Sequence, residues 1–122
     1  MKKKTVVLGA SPNPARYSYA AAEMLTEAGH EMVPVGMRKG SIFGREILDI
    51  RQRPDIAGVD TVTLYVGPVN QDGFLDYIAR LKPARVIFNP GTENPELEAQ
   101  LRKKGIGTIQ ACTLVMLRTG QF

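Results

Sequence analysis

The chain predicts a doubly wound α/β domain, in which a mostly parallel five-stranded sheet is covered by helices on both faces in three layers. Three observations carry that prediction. Five short runs rich in β-branched residues alternate with helical patterns, and the first run opens into a Gly/Ser/Pro/Asn turn followed at once by a helix. The length of 122 residues suffices for one full core but not for a nucleotide domain plus a substrate domain. Residues 1–122 are therefore read as a single domain.

The strands are TVVL (5–8), EMVPV (31–35), TVTLYV (61–66), RVIF (85–88) and IGTI (106–109). Between the first two, Tyr17, Ala20, Ala21, Met24, Leu25 and Ala28 recur at helical spacing, which places Tyr17 on the apolar face, and Gly29 ends the helix. A second helix covers Gln71 to Leu81, with Phe74, Ile78 and Leu81 inward. A third follows Asn94, an N-cap residue with Pro95 at the first helical position; Glu96 and Glu98 suit its first turn, and Lys103, Lys104 and Gly105 its end. The connection from 36 to 60 is a long excursion around SIFG in which a ligand lid would fit. For five strands the expected order is 3-2-1-4-5, with a ligand above the carboxyl ends of strands one and four.

Composition excludes several function classes. The chain is 43% hydrophobic and 23% charged, and no apolar run approaches the roughly 18 residues of a membrane helix. The basic start MKKK precedes only four apolar residues, which reads as a strand and not as an export signal. A single cysteine, Cys112, allows neither an internal disulfide nor a cysteine metal cluster and fits a reducing cytoplasm. Net charge is +4, yet the sixteen Lys and Arg are dispersed, with no aromatics interleaved. That pattern suits solvated faces and one local anion site, so the expected partner is a small-molecule nucleotide, with no nucleic acid and no membrane. The closing LVMLRTGQF has apolar residues to cover a core edge or to join two copies as a homodimer.

Anion chemistry concentrates in TVVLGASPNPARYS. Gly9, Ala10 and Ser11 allow an anionic group to approach closely, Asn13, Arg16 and Ser18 offer side-chain donors, and the helix that follows aims its positive end at the same spot. The turn is not GxGxxG: Ala10 and Ser11 occupy its middle, and Pro12 and Pro14 stiffen it. At the end of strand two, where an NAD site carries an acid for the ribose 2′-hydroxyl, the chain has Gly36-Met37-Arg38-Lys39. Two cations in place of a carboxylate suit a phosphorylated ribose, as in NADP or coenzyme A. The alternative is a plain connecting turn with solvated charges.

The succession VVLGAS-PNPAR-YS, HEMVPVG with SIFG, VDTVTLYV, FNPGTENPE and GIGTIQACTLVML resembles the stand-alone coenzyme A-binding domain family of small bacterial proteins over nearly the whole chain. The resemblance implies a Rossmann-like fold, akin to the nucleotide-binding domain of succinyl-CoA synthetase, with coenzyme A or an acyl-CoA as ligand. It further implies that Gly9, Ala10 and Ser11 line the phosphate turn, that Arg16 and Ser18 approach the ligand, and that Val35, Gly36, Met37, Arg38 and Lys39 flank its adenosine end. Tyr65, Val66, Gly67 and Pro68 match the family's third ligand loop, and Asn89, Pro90 and Gly91 match a turn facing the pantetheine or a partner. The chain departs from the family at Val35-Gly36-Met37, where Val-Asn-Pro is usual, and at Asn89-Pro90, where Gln or a similar residue is common.

Catalytic candidates are few. His30, the sole histidine, precedes strand two at the amino-terminal edge of the sheet and reads as structural. Cys112 follows strand five with no histidine to activate it and reads as a small apolar residue. Asp60 lies at the start of strand three and Asp72, Asp76 and Glu96 in helix turns, so no paired acids and no metal cluster emerge. The resulting expectation is non-catalytic binding of coenzyme A or an acyl-CoA, with the diphosphate on the first turn and the 3′-phosphate near Arg38 and Lys39. Rival readings are an NADP-binding reductase-like enzyme, a subunit of an acyl-CoA synthetase completed by a partner, and an interaction domain that uses no ligand.

Overall fold

Successive residues of a strand face opposite sides of a sheet, and a run of four apolar residues must therefore find a core on both. In the computed structural model, which describes residues 2–122, the strands do so. The main sheet comprises β1 (Thr5–Leu8), β2 (Met32–Gly36), β5 (Leu48–Asp49), β6 (Thr61–Leu64), β7 (Arg85–Phe88) and β8 (Gly107–Gln110), all parallel, in the order β5-β2-β1-β6-β7-β8. A separate antiparallel hairpin joins β3 (Ser41–Ile42) to β4 (Arg45–Glu46). The helices are α1 (Tyr17–Glu27), α2 (Phe74–Leu81), α3 (Pro95–Lys103) and α4 (Thr113–Arg118).

The doubly wound α/β architecture stands, with six strands where five were expected, and the order is corrected. TVTL, third in the sequence count, lies beside β1; the outer place next to β2 is taken by Leu48–Asp49, inside the excursion from 36 to 60. Pro34 accounts for the brevity of β5. It has no N–H for a neighbouring strand, and β5 pairs only with Val35 and Gly36 beyond it. The direction in which successive strands are added to the sheet thus reverses between β1 and β6, which is where the carboxyl ends of parallel strands leave a crevice.

Two cores result. Val6, Leu8, Val33, Val35, Val62, Leu64, Val86 and Phe88 pack against Phe74, Tyr77, Ile78 and Leu81 of α2 and Leu97 and Leu101 of α3. On the other face Val7, Ala10 and Met32 pack with Ala22 and Leu25 of α1 and with Ile42 and Ile47 around the hairpin. Each such large side chain, fully buried, contributes about 1.5–3 kcal/mol. The tail covers the edge of the second core: α4 packs on α1, Leu114 and Met116 are buried, and Leu117 and Phe122 lie against the cluster.

Helix α1 uses a different face from the expected one. Ser18, Ala21, Ala22 and Leu25 are buried, while Tyr17 is 76% exposed. Both sets follow the i, i+3, i+4, i+7 rule, but the small set lets α1 approach the sheet and leaves the phenol at the carboxyl edge. The ends of the helices are as read: Gly29 follows α1 at φ +84, and Asn94 caps α3, its side chain accepting the Leu97 N–H at 3.2 Å.

His30 sits at the amino-terminal edge, where its Nδ1 accepts the Lys3 N–H at 2.9 Å and its ring packs 4.9 Å from that of Phe122. Burial, and then the charges of Lys2, Lys3 and Arg85, hold its pKa below the ordinary 6.5. The folded state therefore binds fewer protons than the unfolded one, and the contribution of His30 is complete above the ordinary 6.5 and lost as pH falls from there through the lower pKa of the folded state. Urea unfolding of wild type and His30→Gln between pH 8 and pH 5 should show a steeper loss of stability in the wild type; parallel curves would contradict this.

Candidate functional site

The turn after β1 is held by one carbonyl. Both Gly9 and Ala10 donate their N–H groups to the oxygen of Val35, at 2.8 and 2.9 Å, which fastens the turn to the end of β2. Two glycines permit this closeness. A Cβ on Gly36 would lie 2.1 Å from the Ala10 oxygen, and one on Gly9, at φ +104, would lie 2.9 Å from the Tyr65 carbonyl. Gly36, where the chain departs from the usual Val-Asn-Pro, is thus the gap into which the turn closes.

The same bonds change which donors face a ligand. Because the N–H groups of Gly9 and Ala10 are taken by Val35, these residues shape the site without offering hydrogen bonds from the backbone. Among the described residues no acceptor takes the N–H groups of Ser11, Tyr17 or Ser18, the last two being the first of α1. Asn13 folds the intervening loop: its Oδ1 accepts from Ala15 at 3.0 Å, and its N–H donates to the Ser11 hydroxyl at 3.1 Å. Arg16 holds the N-cap position in extended backbone, with its side chain exposed. Three unused N–H groups, the positive end of α1 and a guanidinium make this the natural place for an anion.

Around it lies a cleft of three adjoining hollows. The first, ≈ 590 Å³, is lined by Gly9, Ala10, Ser11, Arg16, Ser18, Met37, Arg38, Tyr65, Val66, Gly67 and Gly91, with Ala15, Tyr17, Asn70, Pro90 and Thr92. The second, ≈ 460 Å³, shares Met37 and Arg38 and adds Gly36, Lys39, Asp49 and Arg51 among others. The third, ≈ 560 Å³, shares Met37, Arg51, Val66 and Asn70 and adds Ile50, Arg53 and Phe74. Arg16, Arg38, Lys39, Arg51 and Arg53 face two carboxylates, Glu46 and Asp49, so the cleft is positive. Asp49 is engaged by Arg51, whose Nε donates to it at 3.0 Å, and its pKa is held low mainly by that side-chain bond.

Most of the residues singled out from sequence converge here, but four do not line the hollows. Val35 is fully buried and acts through its carbonyl; Asn13 and Pro68 lie outside. Asn89, expected to face the ligand, is turned inward: its amide donates to the Thr63 hydroxyl at 2.7 Å and the Leu64 carbonyl at 2.9 Å, and its Oδ1 accepts the Thr113 N–H at 2.8 Å. Sequence reading missed Asp49 and Arg51, hidden in the excursion, and Gln71, taken as the start of a helix. It placed Tyr17 in the core.

Gln71 is 5% exposed; its amide donates to the carbonyls of Val66 and Thr92 at 2.8 and 2.9 Å and accepts from Asn94 at 2.8 Å. The Tyr65 hydroxyl is buried with no protein partner, and burial pushes its pKa up to about 12, so it stays a neutral phenol. Cys112 is half-buried at the N-cap of α4. Among the described residues no group of three or more His, Cys, Asp or Glu is arranged to hold a metal ion, and no helix is long and apolar enough to cross a membrane.

A family model described as "CoA binding domain" matches residues 3–118. A crystal structure of a protein described as uncharacterized is 55% identical, with 100% of this chain and 99% of that chain covered and a TM-score of 0.96. A structure from Thermus thermophilus is 25% identical over 98% of this chain and 91% of its own, with a TM-score of 0.81. A conserved hypothetical protein from Pyrococcus furiosus is 26% identical over 90% and 92%, with a TM-score of 0.73. None of the curated proteins matches the chain significantly.

The turn-closing role of Gly36 is testable by stability alone. Gly36→Ala must push the Ala10 carbonyl away and should cost about 3 kcal/mol in denaturant unfolding. Gly67→Ala, at φ −65 with open space around it, should stay within about 0.5 kcal/mol of wild type. Equal effects of the two would refute the packing argument.

Proposed function

The chain belongs to the CoA-binding domain family, and from that premise we propose that it holds coenzyme A or an acyl-CoA without transforming it. The observation that carries this reading is the convergence of unused N–H groups and unpaired cations in one three-part cleft. The ligand also has three parts, two of them anionic. Its diphosphate takes the N–H groups of Ser11, Tyr17 and Ser18 together with Arg16. Its 3′-phosphate takes Arg38 and Lys39, which form no ion pair with any described residue.

Adenine fits the hollow of Met37, Ile50 and Phe74, where apolar surface covers its faces and Arg51 and Arg53 border its edge. The pantetheine arm then leaves along Gly67, Asn70 and Pro90 to Thr92. Gly67 and Gly91 present no side chain there, which leaves the path open. A cytoplasmic setting, where a lone thiol such as Cys112 stays reduced, belongs to the same reading.

Calorimetric titration at low salt with coenzyme A, dephospho-coenzyme A and NADP tests the assignment. Coenzyme A should bind, loss of the 3′-phosphate should weaken binding by about tenfold, and Arg38→Ala should remove most of that difference. Binding should weaken as salt screens the phosphates. No heat with millimolar coenzyme A, or tighter binding of NADP, would overturn the assignment.

A further inference from the structure

Two loops form one wall of the first hollow. The loop after β6 contributes Tyr65, Val66, Gly67 and Asn70, and the loop after β7 contributes Pro90, Gly91 and Thr92. They come from neighbouring strands, but nothing in strand pairing sets their separation beyond Leu64 and Phe88. The later loop is tied to the sheet by Asn89, and the Thr92 hydroxyl and N–H both donate to the Asn89 carbonyl, at 2.8 and 2.9 Å. The earlier loop has a single turn of 3₁₀ helix at Pro68–Asn70, with Val69 and Asn70 exposed.

Gln71 joins them. Its side-chain amide donates to one carbonyl in each loop, Val66 and Thr92, while its Oε1 accepts a hydrogen bond from the Asn94 side-chain amide. Asn94 is in turn held by α3: its side chain accepts from Leu97, and its N–H donates to the Glu98 carboxylate, which accepts from Gln110 of β8. The wall is therefore braced through Gln71 to α3 and the far edge of the sheet. Replacing this amide leaves two carbonyls without donors in a buried place and lets the loops move apart.

Resting on the coenzyme A reading, we infer that Gln71 is a positioning residue which sets the width of the pantetheine channel and contributes little to the adenosine and phosphate subsites. The phosphate subsites lie at the turn after β1, the start of α1 and the loop after β2, to none of which Gln71 is hydrogen-bonded, and of the residues around the adenine hollow its side chain bonds only the Val66 carbonyl. Glycine at 67 and 91 makes the brace more consequential, because no side chain at either position limits how the loops close or part.

The test compares two probes, coenzyme A and adenosine 3′,5′-bisphosphate, on wild type, Gln71→Met and Asn94→Ser, with folding checked by thermal unfolding. Gln71→Met keeps side-chain length and removes all three bonds. Asn94→Ser retains an N-capping oxygen but removes the donor to Gln71, and it carries the comparison if Gln71→Met does not fold. The expected result is coenzyme A affinity reduced by about tenfold in Gln71→Met and by less in Asn94→Ser, with the bisphosphate within about twofold of wild type. Loss of affinity for both probes alike, or for neither, overturns the positioning role, since general destabilisation does not distinguish the two halves of the ligand. Wild type that binds neither probe overturns the ligand assignment itself and the channel with it.

Discussion

A single carbonyl, that of Val35, organises the functional end of the molecule. By accepting from both Gly9 and Ala10 it fixes the turn after β1 onto the end of β2, and the missing side chain of Gly36 lets the Ala10 carbonyl occupy the space alongside. The anion-facing end of the cleft depends on that closure. The start of α1 is aimed, the Ser11, Tyr17 and Ser18 N–H groups are left without acceptors, and Met37 to Lys39 emerge beside them. Each helix-start donor is weak alone, but preorganised donors cost no further ordering when an anion arrives.

Electrostatics and packing divide the cleft between them. The cations on the loops after β2 and β5 surround the second and third hollows, where Asp49 fixes Arg51 and leaves Arg38 and Lys39 unpaired. The wall formed by the loops after β6 and β7 carries no charged residue among those lining the first hollow, and hydrogen bonds within the protein brace it. A ligand with a charged half and a long neutral arm matches this division. Membership of the CoA-binding domain family accords with the same match.

Much of this was legible in the sequence, for identifiable reasons. TVVL, TVTL and RVIF are short apolar, β-branched runs bounded by turn residues, and Asn94-Pro95 and Gly29 mark helix ends through backbone chemistry that acts locally. The order of the strands was not legible, because β5 is two residues long and lies in a Gly- and Arg-rich stretch without periodicity. The buried face of α1 was misjudged because an aromatic at position 17 outweighed a serine at 18, although the small residue is the one that permits close packing. The donors of the turn were likewise invisible: which N–H groups remain free depends on Val35, a contact 26 residues away in the chain that no local pattern encodes.

Amide hydrogen exchange resolved by NMR, with and without coenzyme A, addresses the central claim directly. The account predicts that Gly9 and Ala10 are protected in both states, held by Val35, while Ser11, Tyr17 and Ser18 exchange freely alone and become protected when the ligand is added. Rapid exchange at Gly9 and Ala10 in the free protein, slowed only by ligand, would contradict it, because the turn would then be assembled by the ligand and not by the chain.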